Sequence, residues 1–199
     1  APDKIRLIYN RVSPEIFYPL PEPKDAKFTA LVVGRLIPEK NQRTLIEAIK
    51  DLDCRLIVSG QGPERENLER LASDLGLRER VEFVGKIDNR EMVKLYNRAH
   101  LYVTANQYGG MEIPVIEAMA CGLPIVRSKH PLEKKPELLG YEGCLYVDNK
   151  PEEFSRAIKK LMTDHQLRED LSKKSLAIFQ SIRGDKMERQ EKELYLNLI

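Results

Sequence analysis

Apolar residues along this chain fall into two alternating rhythms. Short unbroken apolar runs sit at 28–33 (FTALVV, ending at Gly34), 54–58 (CRLIV, closed by Ser59-Gly60), 81–84 (ended by Gly85), 101–103, 124–126 and 145–147. Runs of this length, bounded by glycine, predict strands buried on both faces. Between them the apolar positions recur at helical spacing. Leu45, Ile46, Ala48, Ile49 and Leu52 predict a helix over 41–52. Leu68, Leu71, Ala72 and Leu75 predict a second, opened by Pro63 and stopped at Gly76. Met92, Val93, Leu95 and Tyr96 predict a third, capped by Asp88 or Asn89, and a fourth spans 114–120 before Gly122. After Pro151 the pattern is wholly helical, with apolar faces at Phe154, Ala157, Ile158, Leu161 and Met162, then Leu167, Leu171 and Ile178, then Met187, Leu194 and Leu198.

Non-alternating strands interleaved with helices imply an α/β fold, a Rossmann-like doubly wound parallel sheet with C-terminal helices. The expected layout is a connector with a first short strand (Ile5 to Tyr9) over 1–23, a Rossmann-like domain over 24–150, and C-terminal helices over 151–199 packed on the same domain. Four prolines between Pro14 and Pro23 make that stretch irregular. Composition narrows the class. With 33 basic and 31 acidic residues among 199, the net charge of +2 lacks the surplus of a nucleic-acid binder. No apolar run approaches the ~18 residues needed to cross a bilayer. Three scattered cysteines and three scattered histidines form neither a disulfide framework nor a metal cluster, and suit a reducing cytoplasm. The opening Ala1-Pro2-Asp3-Lys4 suggests a cut site.

In such a sheet ligands bind beyond the carboxyl ends of the strands, so the loops there are the place to look. The first reads Gly34-Arg35-Leu36-Ile37-Pro38-Glu39-Lys40 before a helix. Arg35 and Lys40 at a helix N-terminus suit a diphosphate, Arg by forking two oxygens and Lys as a point charge; the alternative is two solvated loop cations. The second, Gly60-Gln61-Gly62-Pro63-Glu64-Arg65, half matches a dinucleotide fingerprint but lacks the third glycine and follows the wrong strand; a tight turn fits it better. The third carries Gly109, Gly110, Met111, Glu112 and Ile113 before a helix, leaving N–H groups open to a ligand oxygen. Glu117 lies one turn inside that otherwise apolar helix. It either accepts from a ribose diol or lies on a solvent-facing stripe.

Together these stretches resemble a known family. VGRLIPEKN at 33–41, GQGPERENLERLASDLGLRERVEFVG at 60–85 and PVIEAMACGLPIV at 114–126, with Asn10-Arg11-Val12-Ser13 ahead of Phe17 and Pro19, and Asp164-His165-Gln166-Leu167-Arg168 and Tyr195 in the tail, are similar to the C-terminal, donor-binding domain of retaining glycosyltransferases of the GT-B fold. That large group contains bacterial mannosyl- and glucosyltransferases. The resemblance implies one half of a GT-B fold and a nucleotide-diphosphosugar donor, UDP- or GDP-linked, with no cofactor and no metal. It implies that Arg35 and Lys40 hold the diphosphate and stabilise its departure. Glu117 would bind the ribose, and the backbone at Lys86 and Ile87 the base. The loop from Gly34, with Gly109, Gly110, Met111, Glu112 and Ile113, would cradle phosphate and sugar.

The chain departs from the family pattern at one position that matters. The family has two glutamates with seven residues between them; the second is Glu117, but the first position is Gly109. Glu112, on the same loop, is the nearest carboxylate to replace it. The family also has an N-terminal acceptor domain, which this stretch lacks. The expectation is thus a donor domain of a cytoplasmic transferase acting in polysaccharide or glycolipid biosynthesis, in which any contact with the inner face of the membrane is made through the missing half. The alternative is a non-catalytic nucleotide-sugar-binding module. A sugar-nucleotide epimerase fits the 33–41 and 114–126 segments less well.

Overall fold

The computed structural model describes residues 9–108, 112–129 and 143–196. The short strand expected over 5–9 falls outside them, apart from Tyr9. The six expected strands form one sheet: β1 (Thr29–Val33), β2 (Arg55–Ser59), β3 (Val81–Gly85), β4 (Leu101–Thr104), β5 (Ile125–Ser128) and β6 (Cys144–Val147). Every pairing is parallel, and the order is β3-β2-β1-β4-β5-β6. The helices are α1 (Gln42–Ala48), α2 (Arg65–Asp74), α3 (Asn89–Arg98), α4 (Ile113–Ala120), α5 (Pro151–Thr163), α6 (His165–Ile182) and α7 (Gly184–Leu196).

Successive strand residues point to opposite faces, and each face has its own core. Ala30, Val32, Leu56 and Val58 pack with Leu45 and Ile46 of α1, Leu68 of α2, and Phe154, Ile158 and Leu161 of α5. On the other face Leu31, Ile57, Tyr102 and Ile125 pack with Tyr96 of α3, Ile116 and Met119 of α4, and Phe179 of α6. Double burial explains why the strands read as unbroken apolar runs. A side chain as enclosed as Leu31, with no exposed surface, contributes about 1.5–3 kcal/mol through burial. Val12 and Phe17 of the irregular N-terminal stretch join the second core, and Asn97 ties it down. Its side-chain amide donates to Tyr18 O at 3.0 Å, and its Oδ1 accepts from Leu20 N–H at 2.8 Å. No helix among the described residues is long and apolar enough to cross a membrane.

Strand ends shift by one or two residues from the sequence reading, and two helix boundaries shift for reasons the structure shows. The first helix stops at Ala48, not Leu52. The guanidinium of Arg80 reaches in from the start of β3 and donates to the carbonyls of Ile49, Lys50 and Leu52. The second helix opens at Arg65, two residues after Pro63. The intervening Glu64 N–H is drawn to Leu36 O, 3.0 Å away in the loop after β1.

Candidate functional site

The strand order reverses between β1 and β4, so the connections leaving these two strands run to opposite sides of the sheet and open a crevice at their carboxyl ends. The loop after β1 forms one wall. It is held by the loop after β2: Gly34 N–H donates to Ser59 O at 3.0 Å, and Leu36 N–H to Gln61 O at 2.9 Å. A Cβ on Gly60 would lie 1.8 Å from Gly34 O, and one on Gly62 would lie 2.2 Å from Leu36 O. The Gly-Gln-Gly segment is therefore a seat for the first loop. Leu36 is fully buried and anchors it, while Arg35 stays exposed. Arg35 makes no ion pair among the described residues, and its carbonyl accepts from the buried Gln42 amide at 2.9 Å.

A single 3-10 turn over Pro38–Lys40 leads through Asn41, which has left-handed backbone (φ 48°), into α1. The Asn41 amide donates to Asn149 Oδ1 at 3.1 Å, and the Asn149 amide donates to Ala105 O at 2.8 Å. Gln107 N–H donates to Glu39 O at 2.9 Å. The loops after β1, β4 and β6 are thus stitched together. Across the crevice, the Lys40 ammonium is ion-paired with the Glu112 carboxylate. Thr104 Oγ1, at the end of β4, lies 3.4 Å from Glu112 Oε1 and donates to it. Glu112 is not solvated: its side chain is 13% exposed and that of Lys40 24%.

Glu112 is the N-cap of α4, yet its side chain makes no cap hydrogen bond; Pro114 in the first turn leaves no N–H there to satisfy. One turn further in, half-buried Glu117 accepts a hydrogen bond from the Tyr96 hydroxyl at 2.7 Å. Burial pushes the Glu117 carboxyl above its ordinary range, and the Tyr96 hydrogen bond partly offsets this. Buried Tyr102 lies beneath the site, its hydroxyl 3.4 Å from Val33 O. Burial first, then the carboxylates of Glu112 and Glu117, push that hydroxyl well above its ordinary value.

Of the residues singled out from sequence, the structure brings Lys40 and Glu112 into contact and sets Glu117 on a tyrosine. Ile113 is exposed at the start of α4. Lys86 is exposed and Ile87 half-buried after β3, which is two strands away from the crevice. Gly109, Gly110 and Met111 lie outside the described residues. Sequence reading missed Tyr96, Tyr102, Thr104 and Asn149. The two tyrosines look like ordinary core at their spacing, and Thr104 and Asn149 carry no local signal. Among the described residues no group of three or more His, Cys, Asp or Glu is arranged to hold a metal ion.

Comparison with known proteins defines the class. The model of the glycosyl transferases group 1 family matches residues 15–177, and the chain belongs to that family. An uncharacterised glycosyltransferase of Methanocaldococcus jannaschii is 34% identical over 149 residues, which are 71% of this chain and 38% of that protein. Sucrose-phosphate synthase from Thermosynechococcus elongatus superposes with a TM-score of 0.85 at 26% identity, covering 97% of this chain and 52% of that one. Anabaena HepE, solved with UDP-glucose, superposes with a TM-score of 0.84 at 21% identity, covering 96% and 57%. The fold is that of a GT-B glycosyltransferase C-terminal domain. The chain spans 38% to 41% of the length of several curated relatives.

Proposed function

We propose that the crevice between β1 and β4 binds a nucleotide-diphosphosugar without a metal ion, and that the whole protein transfers the sugar to an acceptor with retained configuration. The observation that carries this reading is the meeting, at the point where strand order reverses, of the Arg35–Lys40 loop with the start of α4 and its tyrosine-held carboxylate, Glu117. In this reading Arg35 and Lys40 hold the diphosphate and stabilise the charge that develops as it leaves. Glu117, already oriented by Tyr96, accepts from the ribose hydroxyls. The backbone of Gly34 and of the Gly109–Ile113 segment lies against phosphate and sugar, and that of Lys86 and Ile87 against the base. Gly109 in place of the family's first glutamate favours a second reading, a binding module without turnover; an assay of the whole protein separates the two.

Calorimetric titration with UDP, GDP, ADP and their sugars, in EDTA, tests the site. At least one nucleotide binds, and Arg35→Ala weakens it by about 1.5–3 kcal/mol, the scale of a hydrogen bond to a charged group. Glu117→Gln weakens the nucleotide by about 1–2 kcal/mol and leaves pyrophosphate unchanged. Binding that disappears in EDTA and returns with magnesium would refute the metal-free site. Equal loss of pyrophosphate in Glu117→Gln would make that residue structural.

A further inference from the structure

We propose that Glu112 is a resident counter-ion of Lys40 that sets which diphosphate the site prefers: it disfavours the free nucleoside diphosphate relative to the sugar nucleotide. The inference rests on the donor-site reading above. It begins with where Glu112 points. With Pro114 supplying no N–H in the first turn, the Glu112 side chain makes no cap hydrogen bond; it reaches across the crevice to the Lys40 ammonium and accepts from Thr104. Both partners are largely withdrawn from water, so their attraction is screened less than in a surface pair. Arg35, Lys40 and Glu112 together carry one net positive unit, where the two cations alone would carry two.

That difference acts unequally on the two diphosphates of a transfer reaction. The diphosphate bridge of a sugar nucleotide carries two negative charges. A nucleoside diphosphate ends in a phosphate monoester, whose second ionisation near pH 6 adds up to about one more at neutral pH. The carboxylate competes with either ligand for Lys40, and it also repels the extra charge that only the nucleoside diphosphate carries. Glu112 thus lowers product affinity more than donor affinity and assists release of the product. A sugar contact by Glu112 predicts a different pattern, loss of sugar-nucleotide affinity on its removal.

The experiment measures dissociation constants of UDP, UDP-glucose and inorganic pyrophosphate for the native chain, Glu112→Gln and Glu112→Ala, with the GDP and ADP pairs run alongside to find the base that binds. Glu112→Gln tightens the nucleoside diphosphate and pyrophosphate roughly tenfold and the sugar nucleotide no more than about threefold. Glu112→Ala shifts both in the same direction. In a Lys40→Met background the tightening shared by both ligands is lost, while the difference between them persists, because the carboxylate still faces the extra charge. Weaker sugar-nucleotide binding with unchanged nucleoside diphosphate would overturn the proposal in favour of a sugar contact. Unchanged binding of both would make Glu112 a bystander. If no nucleotide and no pyrophosphate binds to any variant, the donor-site reading itself falls and takes this inference with it.

Discussion

At the residue scale, His100 shows how local packing sets a protonation state. It follows α3 and faces Lys24, Arg168 and Asp25. Its Nδ1 accepts from Thr29 N–H at 3.2 Å, and its ring stacks on Phe28 with centroids 4.9 Å apart. Burial, then the charges of Lys24 and Arg168, hold its pKa down to about 4 against an ordinary 6.5, with Asp25 opposing weakly. The two cations are fixed for a separate reason: each donates to carbonyls at a helix C-terminus, Lys24 to Ala99 O at 2.6 Å and Arg168 to Met162 O at 3.4 Å. A depressed histidine pKa means that the folded state binds a proton less readily than the unfolded one. Its contribution is complete above pH 6.5 and is lost as pH falls from 6.5 toward 4. Discounted for the ring's partial exposure, the loss is on the order of 1–2 kcal/mol. Urea denaturation at pH 7 and pH 4.5 should show native protein losing more stability than His100→Gln. A ring that titrates near 6.5 by NMR would contradict the packing argument.

At the element scale, the loop after β1 depends on glycines in the loop after β2. Gly60 has φ +144° and its missing Cβ faces a backbone oxygen, so no rotamer change relieves a substitution. Gly60→Ala should destabilise the chain by about 3 kcal/mol or more and weaken nucleotide binding in the fraction that remains folded. Gly76 is the control. It also has positive φ, +68°, but nothing lies within 4 Å of its missing Cβ. Gly76→Ala should cost only about 1 kcal/mol and leave binding intact, as unfolding and titration of the two variants would show. The comparison also marks what sequence made legible. Gly76 ends a helix, a local task that spacing exposes. Gly-Gln-Gly at 60–62 looked like a tight turn, because the contact that requires it comes from a loop more than twenty residues away. Strand positions, the seven helices and the cationic loop were legible for the same reason, since each is written in residues a few positions apart. Glu112 on Lys40, Tyr96 under Glu117 and the Asn41–Asn149 link are meetings between distant segments, and nothing local records them.

At the scale of the molecule, sequence periodicity implied a doubly wound sheet but not its strand order. The order found puts the cationic loop and α4 on the two sides of one seam. On the donor-domain reading, this chain alone should bind the nucleotide yet transfer no sugar, because transfer needs an acceptor held in line and positioning is a large share of rate enhancement. Product formation by the purified chain, at rates like those of a complete enzyme, would contradict that. The seam also has a kinetic side. β1 pairs with β2 across about 26 residues of chain, but Ala30 and Leu31 of β1 meet Leu101 and Tyr102 of β4 only after a closure of about seventy. Long closures delay folding, since their entropy is lost before any contact repays it. A nascent or partly melted chain can join β1, β2 and β3 and still have no crevice. Whatever occupies the crevice acts as a clasp on the longer closure and holds the two halves of the sheet together by mass action.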